Sequence, residues 1–368
     1  MSDWDGLRST VEAMRAGLDL EMPGPGVHRR EKLIDAFQRG DVGAEAIRAG
    51  ARRVLHLLER VGAFEAPEIS DERAEDRPET RALIRRAGVD GMVLLKNAGA
   101  LPLAPRKGAR IAVIGPNAKT ARAMGGGSAQ LNPHYLVTPW DALREALPDA
   151  VLAYELGADN RRLAATMTGE IVADYFDGTE FAGPARERVT SAEAAFMFIG
   201  AEGPGGSTTN FSARLRTRQV ATDDGEHQFS LISTGPSRLY VDGELVVDNS
   251  DFAYGEEYFA TASDEISGFL HLERGRAYDI LVEWRSPEQR QSLTLTALRI
   301  GLSPMVGFEA IERAVAVADG ADAALLFVGL NGEWDAEGKD RPNLDLPGAQ
   351  DELIRRVAAT NPNTIVVL

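Results

Sequence analysis

Short apolar runs alternate with helical patterns in two separate parts of this sequence. In the first part, the apolar runs "ARIAVIGPNA" and "AVLAYELG" flank the helical pattern "PWDALREAL". In the second part, "GFEAIERAVAVADGA", "DAALLFVGL", "AQDELIRRVAAT" and "NTIVVL" follow one another. Alternation of buried strands with helices predicts a parallel sheet that is covered on both faces. The shared pattern predicts one α/β sandwich domain formed by residues 80–162 and 304–368.

The segment between these two parts has a different pattern. Residues 163–303 include "GEHQFSLISTG", "SRLYVDGELVVDNS" and "GRAYDILVEWRS", in which apolar and polar residues alternate between turn residues. This period of two predicts an antiparallel β-sandwich, and the Asp-Gly pair in "YVDGEL" predicts a tight hairpin. Because loops with neighbouring ends tolerate insertions, we expect the sandwich to be inserted into the α/β domain.

The N-terminal part of the chain has a helical pattern. The stretch "REKLIDAFQRG" predicts a helix that stops at Gly40, and Asp41 is the expected N-cap of a second helix. One face of that second helix carries Ile47, Val54, Leu55, Leu58 and Val61. The charged stretch "EAPEISDERAEDRPE" then predicts a solvated linker at residues 66–79.

Charge and composition exclude several function classes. The formal net charge is −16, which disfavours nucleic acid and anionic membranes as partners and fits a neutral or carbohydrate ligand better. The chain has no cysteine, which excludes disulfides and thiolate metal sites, and it has no long apolar run or leader pattern. The compartment stays open, and a homo-oligomer remains possible.

One acidic loop has the best position for chemistry. The stretch "GLNGEWDAEGKDRPNLDLPG" directly follows the predicted strand "DAALLFVGL" and carries Glu333, Asp335, Glu337 and Asp340. Ligands of open α/β sheets bind outside the carboxyl ends of the strands, so this loop suits acid/base work. Acidic loop residues that are merely solvated are the alternative interpretation.

Other stretches give weaker signals. The "MGGGSAQLNP" stretch lacks the residues of a phosphate-binding loop and is interpreted as a flexible loop that borders a pocket. The five histidines have no metal-ligand spacing, and Asp223 and Asp224 are interpreted as turn residues. We therefore expect neither a metal nor another cofactor.

Six stretches, in order, resemble glycoside hydrolase family 3, the β-glucosidase family. They are "MSDWDG", "AGLDLEMPGP", "GMVLLKNAGALPL", "IAVIGPNA", "GGGSAQLNPHYLVTPWDAL" and "GLNGEWDAEGKDRPNLDLPGAQDELI". The middle segment, with "FSLISTGPSRLYVDGELVVDN", is similar to the protective-antigen-type β-sandwich module of some members. The resemblance implies a retaining β-glucosidase that acts on β-glucosides or oligosaccharides without a cofactor.

The resemblance also implies roles for single residues. Asp3 matches the catalytic nucleophile, and Glu337 matches the general acid/base, with Glu333 as the reserve. Trp4 would line the sugar pocket, where aromatic faces suit pyranose rings, or would pack inside a barrel. Trp334 and Arg341 are the further substrate-binding candidates.

The implied fold is multidomain, α/β plus all-β. Residues 1–65 would be the remnant of a (β/α)8 barrel, because Asp3 matches a residue at the end of a barrel strand. Since a barrel core is filled from all eight strands, we expect a chain truncated at both ends with little turnover alone. A non-catalytic carbohydrate-binding fragment, a β-xylosidase and a glycoside-specific β-glucosidase are the alternatives.

Overall fold

A computed structural model provides the structure of the chain. It describes residues 1–3, 6–22, 26–68, 71–125, 131–199, 203–204, 209–286, 295–336 and 340–368. The chain divides into two units, Met1–Gly91 and Met92–Leu368. Among the described residues, no helix is both long enough and apolar enough to cross a bilayer.

The first unit is helical in its described residues. Its helices are α1 (Val11–Arg15), α2 (Glu31–Gln38), α3 (Ala44–Arg60) and α4 (Pro78–Gly91). Its small core contains Met14, Ala36 and Val42, with Ile47 packed against them. The rest of the predicted apolar face of α3 is largely open to solvent, with Leu55, Leu58 and Val61 exposed.

The turn between α2 and α3 departs from the prediction. Gly40 adopts φ +79° just after α2, as expected at a helix stop. The expected N-cap at Asp41 is wrong, because α3 begins after Gly43, whose backbone is extended. The Asp41 carboxylate instead accepts a hydrogen bond of 2.9 Å from Nε of Arg39.

The second unit contains all the strands of the described chain. In chain order, its elements are β1 (Arg110–Ile114), α5 (Pro139–Ala146), β2 (Val151–Glu155), β3 (Thr168–Asp177), β4 (Glu187–Glu193), β5 (Ala195–Ile199), β6 (Phe211–Val220), β7 (Gly225–Ser233), β8 (Ser237–Val241), β9 (Glu244–Asn249), α6 (Glu257–Ala260), β10 (Ile266–Leu272), β11 (Ala277–Arg285), β12 (Leu295–Pro304), α7 (Glu309–Ala318), β13 (Ala323–Phe327), α8 (Gln350–Thr360) and β14 (Thr364–Val367).

The parallel sheet has the order β14-β13-β1-β2. Alternate residues of β1 enter two different cores, because successive strand side chains point to opposite faces. Ile114 packs in the core that α7 and α8 cover. Val113 packs on the other face, where Trp140 and Leu143 of α5 lie. The prediction of a parallel sheet covered on both faces is confirmed.

Two antiparallel sheets form the segment between β2 and α7. Their orders are β10-β7-β12-β5 and β4-β3-β6-β11-β8-β9. One hydrophobic core joins them, with Tyr175 and Trp284 from the larger sheet and Phe229 and Leu231 from the smaller. The predicted hairpin is present between β8 and β9, where Asp242 and Gly243 have φ values of +49° and +86°.

The chain enters and leaves this sandwich at neighbouring points. Thr166 forms an isolated antiparallel bridge with Gly301. The N–H of Leu302 donates to the carbonyl of Ala165 at 2.8 Å. We call residues 162–166 and 299–304 the stem, since they connect the sandwich to the part of the second unit that contains the parallel sheet.

Candidate functional site

The carboxyl edge of the parallel sheet gathers three loops. They follow β1, β2 and β13, and parallel strands present their carboxyl ends at the same edge. Buried Asn160 joins all three, because its Nδ2 donates to Oδ1 of Asn117 at 3.0 Å and to the carbonyl of Gly329 at 2.9 Å. Nδ2 of Asn117 donates in turn to the carbonyl of Val328 at 3.1 Å. This edge is therefore held by amide side chains.

The turn out of β1 depends on Gly115. This residue has φ +115°, and a Cβ built on it would overlap the carbonyl oxygen of Phe327 in β13. The N–H of Asn117 donates to that same oxygen at 3.1 Å. A glycine is needed here because the loop after β1 passes directly against the end of β13.

The loop after β13 contains Trp334, which we expected to bind substrate. Its side chain is partly buried, and Nε1 donates to the carbonyl of Asn160 at 2.8 Å. The N–H groups of Trp334 and Asp335 both donate to the carbonyl of Asn331 at 3.1 Å. The indole is thus fixed by its N–H group at the carboxyl edge.

Glu333 belongs to the same loop, and its carboxylate is surrounded by hydrogen-bond donors. Its Oε2 accepts from the N–H groups of Arg162 at 2.9 Å and Leu163 at 3.2 Å. Nδ2 of Asn331 reaches the same oxygen at 3.4 Å. Its Oε1 is 3.7 Å from Nη2 of Arg299. These four contacts come from the stem and from its own loop.

Two arginines of the stem form ion pairs with glutamates of the sandwich. Nη1 of Arg162 is 2.8 Å from Oε1 of Glu257, and both side chains are mostly buried. Nη1 of Arg299 is 3.9 Å from Oε1 of Glu265. The sequence analysis missed these residues, although "ADNRR" lies directly after the β2 strand and its position was a usable signal.

Arg122 also contributes a cation to this edge. Its Nε donates to Oδ1 of Asn117 at 3.1 Å. Burial of the guanidinium lowers the pKa of Arg122, while the carboxylates of Glu333 and Asp159 oppose that effect. The residue is exposed to solvent, so the guanidinium remains charged.

Arg341 has a partner within its own loop. Its Nη2 donates to the carbonyl of Asp345 at 2.9 Å, which closes the turn that leads towards α8. Glu337 lies outside the described residues. So do Gly126 and Gly127 of the glycine-rich stretch.

Asp3 belongs to the first unit and is exposed. Its carbonyl accepts a hydrogen bond of 3.2 Å from the N–H of Gly6. Trp4 lies outside the described residues. The described residues contain no cluster of three or more histidine, cysteine, aspartate or glutamate side chains with the geometry to hold a metal ion.

Residues 92–368 match the model of a protein family described as "Glycosyl hydrolase family 3 C-terminal domain". The whole chain is 47% identical to a β-glucosidase of Rhizobium radiobacter, of which it covers 45%. It is 36% identical to a probable β-glucosidase I of Aspergillus clavatus, of which it covers 46%. The chain therefore spans about half the length of these curated relatives.

A solved structure gives a similar result. The crystal structure of a Kluyveromyces marxianus β-glucosidase in complex with glucose matches 99% of this chain and 46% of its own. The sequence identity is 27% and the TM-score is 0.79. The similarity thus extends over both units.

Proposed function

The chain belongs to glycosyl hydrolase family 3, and we propose from this that it contributes to a retaining β-glucosidase. The observation that carries the proposal is the acidic loop after β13, which lies at the carboxyl edge of the parallel sheet beside the stem. Its support is the identity of 47% over the full chain with a protein named β-glucosidase. The substrate is a β-glucoside or an oligosaccharide with a terminal β-glucosyl residue.

The proposed mechanism uses two carboxyl groups that are far apart in the sequence. Asp3 attacks the anomeric carbon and forms a glycosyl-enzyme, while Glu337 protonates the leaving oxygen. Glu337 then removes a proton from water, which attacks the glycosyl-enzyme and releases the sugar with its configuration retained. Retaining enzymes hold such carboxyl groups about 5 to 5.5 Å apart.

We assign sugar contacts to Trp4, Trp334 and Arg341. Trp334 supports this assignment because the hydrogen bond from its Nε1 to the carbonyl of Asn160 fixes the indole at the carboxyl edge, where the side chain stays partly exposed and an aromatic ring suits a pyranose. Arg341 retains donors beyond the one that Asp345 accepts, since a guanidinium has five.

We assign residues 1–65 to the end of a (β/α)8 barrel and residues 66–79 to a linker. Residues 163–303 form the inserted module of protective-antigen type. Its loop around "NSDFAYGEEY" would limit the length of the aglycone, whereas residues 205–208 of the loop "GPGGSTTN" lie outside the described residues.

Release of nitrophenol from an aryl β-glucoside tests the proposed function. The assay uses the purified chain of 368 residues and also the whole protein encoded by the reading frame that contains it. We expect Asp3→Asn to lower kcat at least about 1,000-fold in the active form, since the nucleophile starts the reaction. Glu337→Ala is expected to lose less activity than Asp3→Asn, because nitrophenol is a good leaving group. It is also expected to form glucosyl azide when azide is added. Asp351→Asn, an exposed carboxylate on α8, is the matched control.

Four outcomes would contradict the proposal. Full activity of Asp3→Asn would remove the nucleophile assignment, and release of α-glucose as the first product would remove the retaining mechanism. Faster cleavage of the matching β-xyloside would favour a β-xylosidase. Glucoside binding without turnover in both forms would favour a carbohydrate-binding function.

A further inference from the structure

We propose that Glu333 is a positioning residue that fixes the loop after β13 to the stem of the inserted sandwich. The proposal rests on the proposed function only in that this loop carries Glu337, the assigned acid/base. It replaces the reserve role of Glu333 as a proton donor.

The first support is the number of donors on one oxygen. Oε2 of Glu333 accepts from two successive backbone N–H groups of the stem, at 2.9 and 3.2 Å. The loop is closed behind this contact, because the N–H of Glu333 donates to Oδ1 of Asn331 at 2.9 Å. Hydrogen bonds to an ionised acceptor are the stronger kind, so this carboxylate fits an anchor.

Arg162 of the stem also donates a hydrogen bond to the backbone of Glu333. Its Nε donates to the carbonyl of Glu333 at 2.9 Å, while its N–H donates to the carboxylate of the same residue. Its Nη1 extends to Oε1 of Glu257 at 2.8 Å. One arginine thus links the loop, the stem and a turn of the sandwich.

Arg299 supplies the same connection from the other strand of the stem. Nη2 donates to the carbonyl of Ala164 at 2.7 Å and Nε donates to Oγ1 of Thr166 at 3.0 Å. The side chain is 13% exposed and lies between Glu333 and Glu265. Loss of the Glu333 charge would leave this buried cation with one carboxylate fewer, which is costly.

These contacts do not suit a general acid. A general acid presents a proton to the leaving oxygen of the substrate, whereas Oε2 of Glu333 faces two backbone N–H groups and Oε1 faces Arg299. The same contacts suit a residue that sets the position of its neighbours. Glu337 follows four positions later in the sequence, so we expect the position of its carboxyl group to depend on a fixed Glu333.

Hydrogen exchange of backbone amides tests the anchor without any need for turnover. In the chain of 368 residues, Glu333→Ala is expected to speed exchange at Arg162 and Leu163 at least about 10-fold, since a charged hydrogen bond is lost. Glu333→Gln keeps a carbonyl acceptor and is expected to preserve most of the protection. Glu312→Ala is the matched control, because it removes an exposed carboxylate that pairs with Arg356 on the helical face.

Activity separates the anchor from the proton donor. In the form of the protein that is active, we expect kcat to fall about 10-fold or more in Glu333→Ala, with a smaller change in KM and no rescue by azide. Glu333→Gln is expected to restore most of kcat. Glu333→Asp, whose side chain is too short for both amides, serves if the alanine variant does not fold.

Two results would overturn the proposal. Unchanged exchange at Arg162 and Leu163 in both Glu333→Ala and Glu333→Asp would show that Glu333 does not anchor the stem. The second result is that Glu333→Gln is as inactive as Glu333→Ala and that azide restores its activity. This would identify Glu333 as the acid/base. Absence of glucoside cleavage in every variant would contradict the proposed function but leave the exchange result valid.

Discussion

Single charged residues are buried in this chain where opposite charges surround them. Asp174 on β3 is 6% exposed in its side chain and lies 2.6 Å from Nε of Arg188 and 2.8 Å from Nη1 of Arg216. The hydrogen bond from Arg188 holds the pKa of Asp174 below its usual value, against burial, which raises it. Asp174 therefore binds its proton less readily in the folded chain than in the unfolded one.

This difference predicts a specific dependence of stability on pH. Because the folded pKa is the lower one, Asp174 stabilises the fold above the unfolded value of about 4, and that contribution is lost as pH falls further. The difference in unfolding free energy between the unchanged chain and Asp174→Asn should thus be largest near neutral pH and shrink in acid. Urea unfolding between pH 7 and pH 3 measures it.

The control for this prediction is Asp279→Asn. Asp279 is 79% exposed and lies 3.8 Å from Nε of Arg218, so its removal should change stability little at any of these pH values. A difference for Asp174→Asn that grows in acid would contradict the sign derived above.

Residue-level prediction from sequence depended on local signals. The acidic loop was found because it follows an apolar strand directly, and the resemblance then supplied Asp3 and Glu337. The partners of Glu333 were missed because Arg162 is 171 positions away along the chain. Such pairs meet only after the sheets have assembled, so no local pattern reveals them.

Among secondary-structure elements, the strands and helices of the parallel sheet were the most predictable. Their apolar runs and helical periods are local, and β1, β2, β13 and β14 all appear where the sequence indicated. The N-cap of α3 was predicted wrongly because Asp41 has a local partner in Arg39. The order of the strands was not predictable, since it depends on contacts between distant segments.

The junction of β1 with β13 gives a prediction at this scale. Gly115→Ala is expected to lower the unfolding free energy by more than about 2 kcal/mol, because the added Cβ overlaps Phe327 and the backbone has φ +115°. Chemical unfolding followed by circular dichroism measures the loss.

Gly108→Ala is the matched control at the other end of β1. Gly108 has φ +75° but no atom within 4 Å of a built Cβ, so only backbone strain of about 1 kcal/mol is expected. Equal losses in the two variants would show that contact with β13 is unimportant.

At the scale of the whole molecule, the C-terminal part of the first unit contains an exposed and charged stretch. Residues 71–77 have no regular structure and are exposed, and the α4 helix that follows buries no side chain. Cleavage by proteases needs a segment that can open locally, which makes this stretch the expected first site.

Brief digestion with trypsin tests this expectation. We expect the first cut after Arg73, since Pro78 protects the bond after Arg77, followed by cuts within α4 and a resistant product that contains the second unit. Arginines within the strands of the sandwich, such as Arg214 and Arg216, are the internal control because their backbone is paired on both sides. First cuts at those arginines would contradict the expected order.

The sequence favoured an inserted sandwich because a change of pattern from alternating elements to a period of two is visible over long segments. An insertion needs neighbouring ends, and Thr166 and Gly301 are paired. The contacts between charged groups at the stem were not predictable, because Arg162, Arg299 and Glu333 belong to three distant stretches of the sequence.

The stem also has a consequence for the order in which the chain folds. Arg110 and Asp322 form a hydrogen bond where β1 and β13 begin, although they are 212 positions apart. Closing a loop of this length before anything else has formed costs conformational entropy, and contacts between distant positions slow folding. Pairing of Thr166 with Gly301 brings the two ends of the sandwich together. The loop that must be closed between β1 and β13 is then much shorter. The central strand pair of the parallel sheet should therefore form after the sandwich, so that folding rate follows the stability of the inserted module.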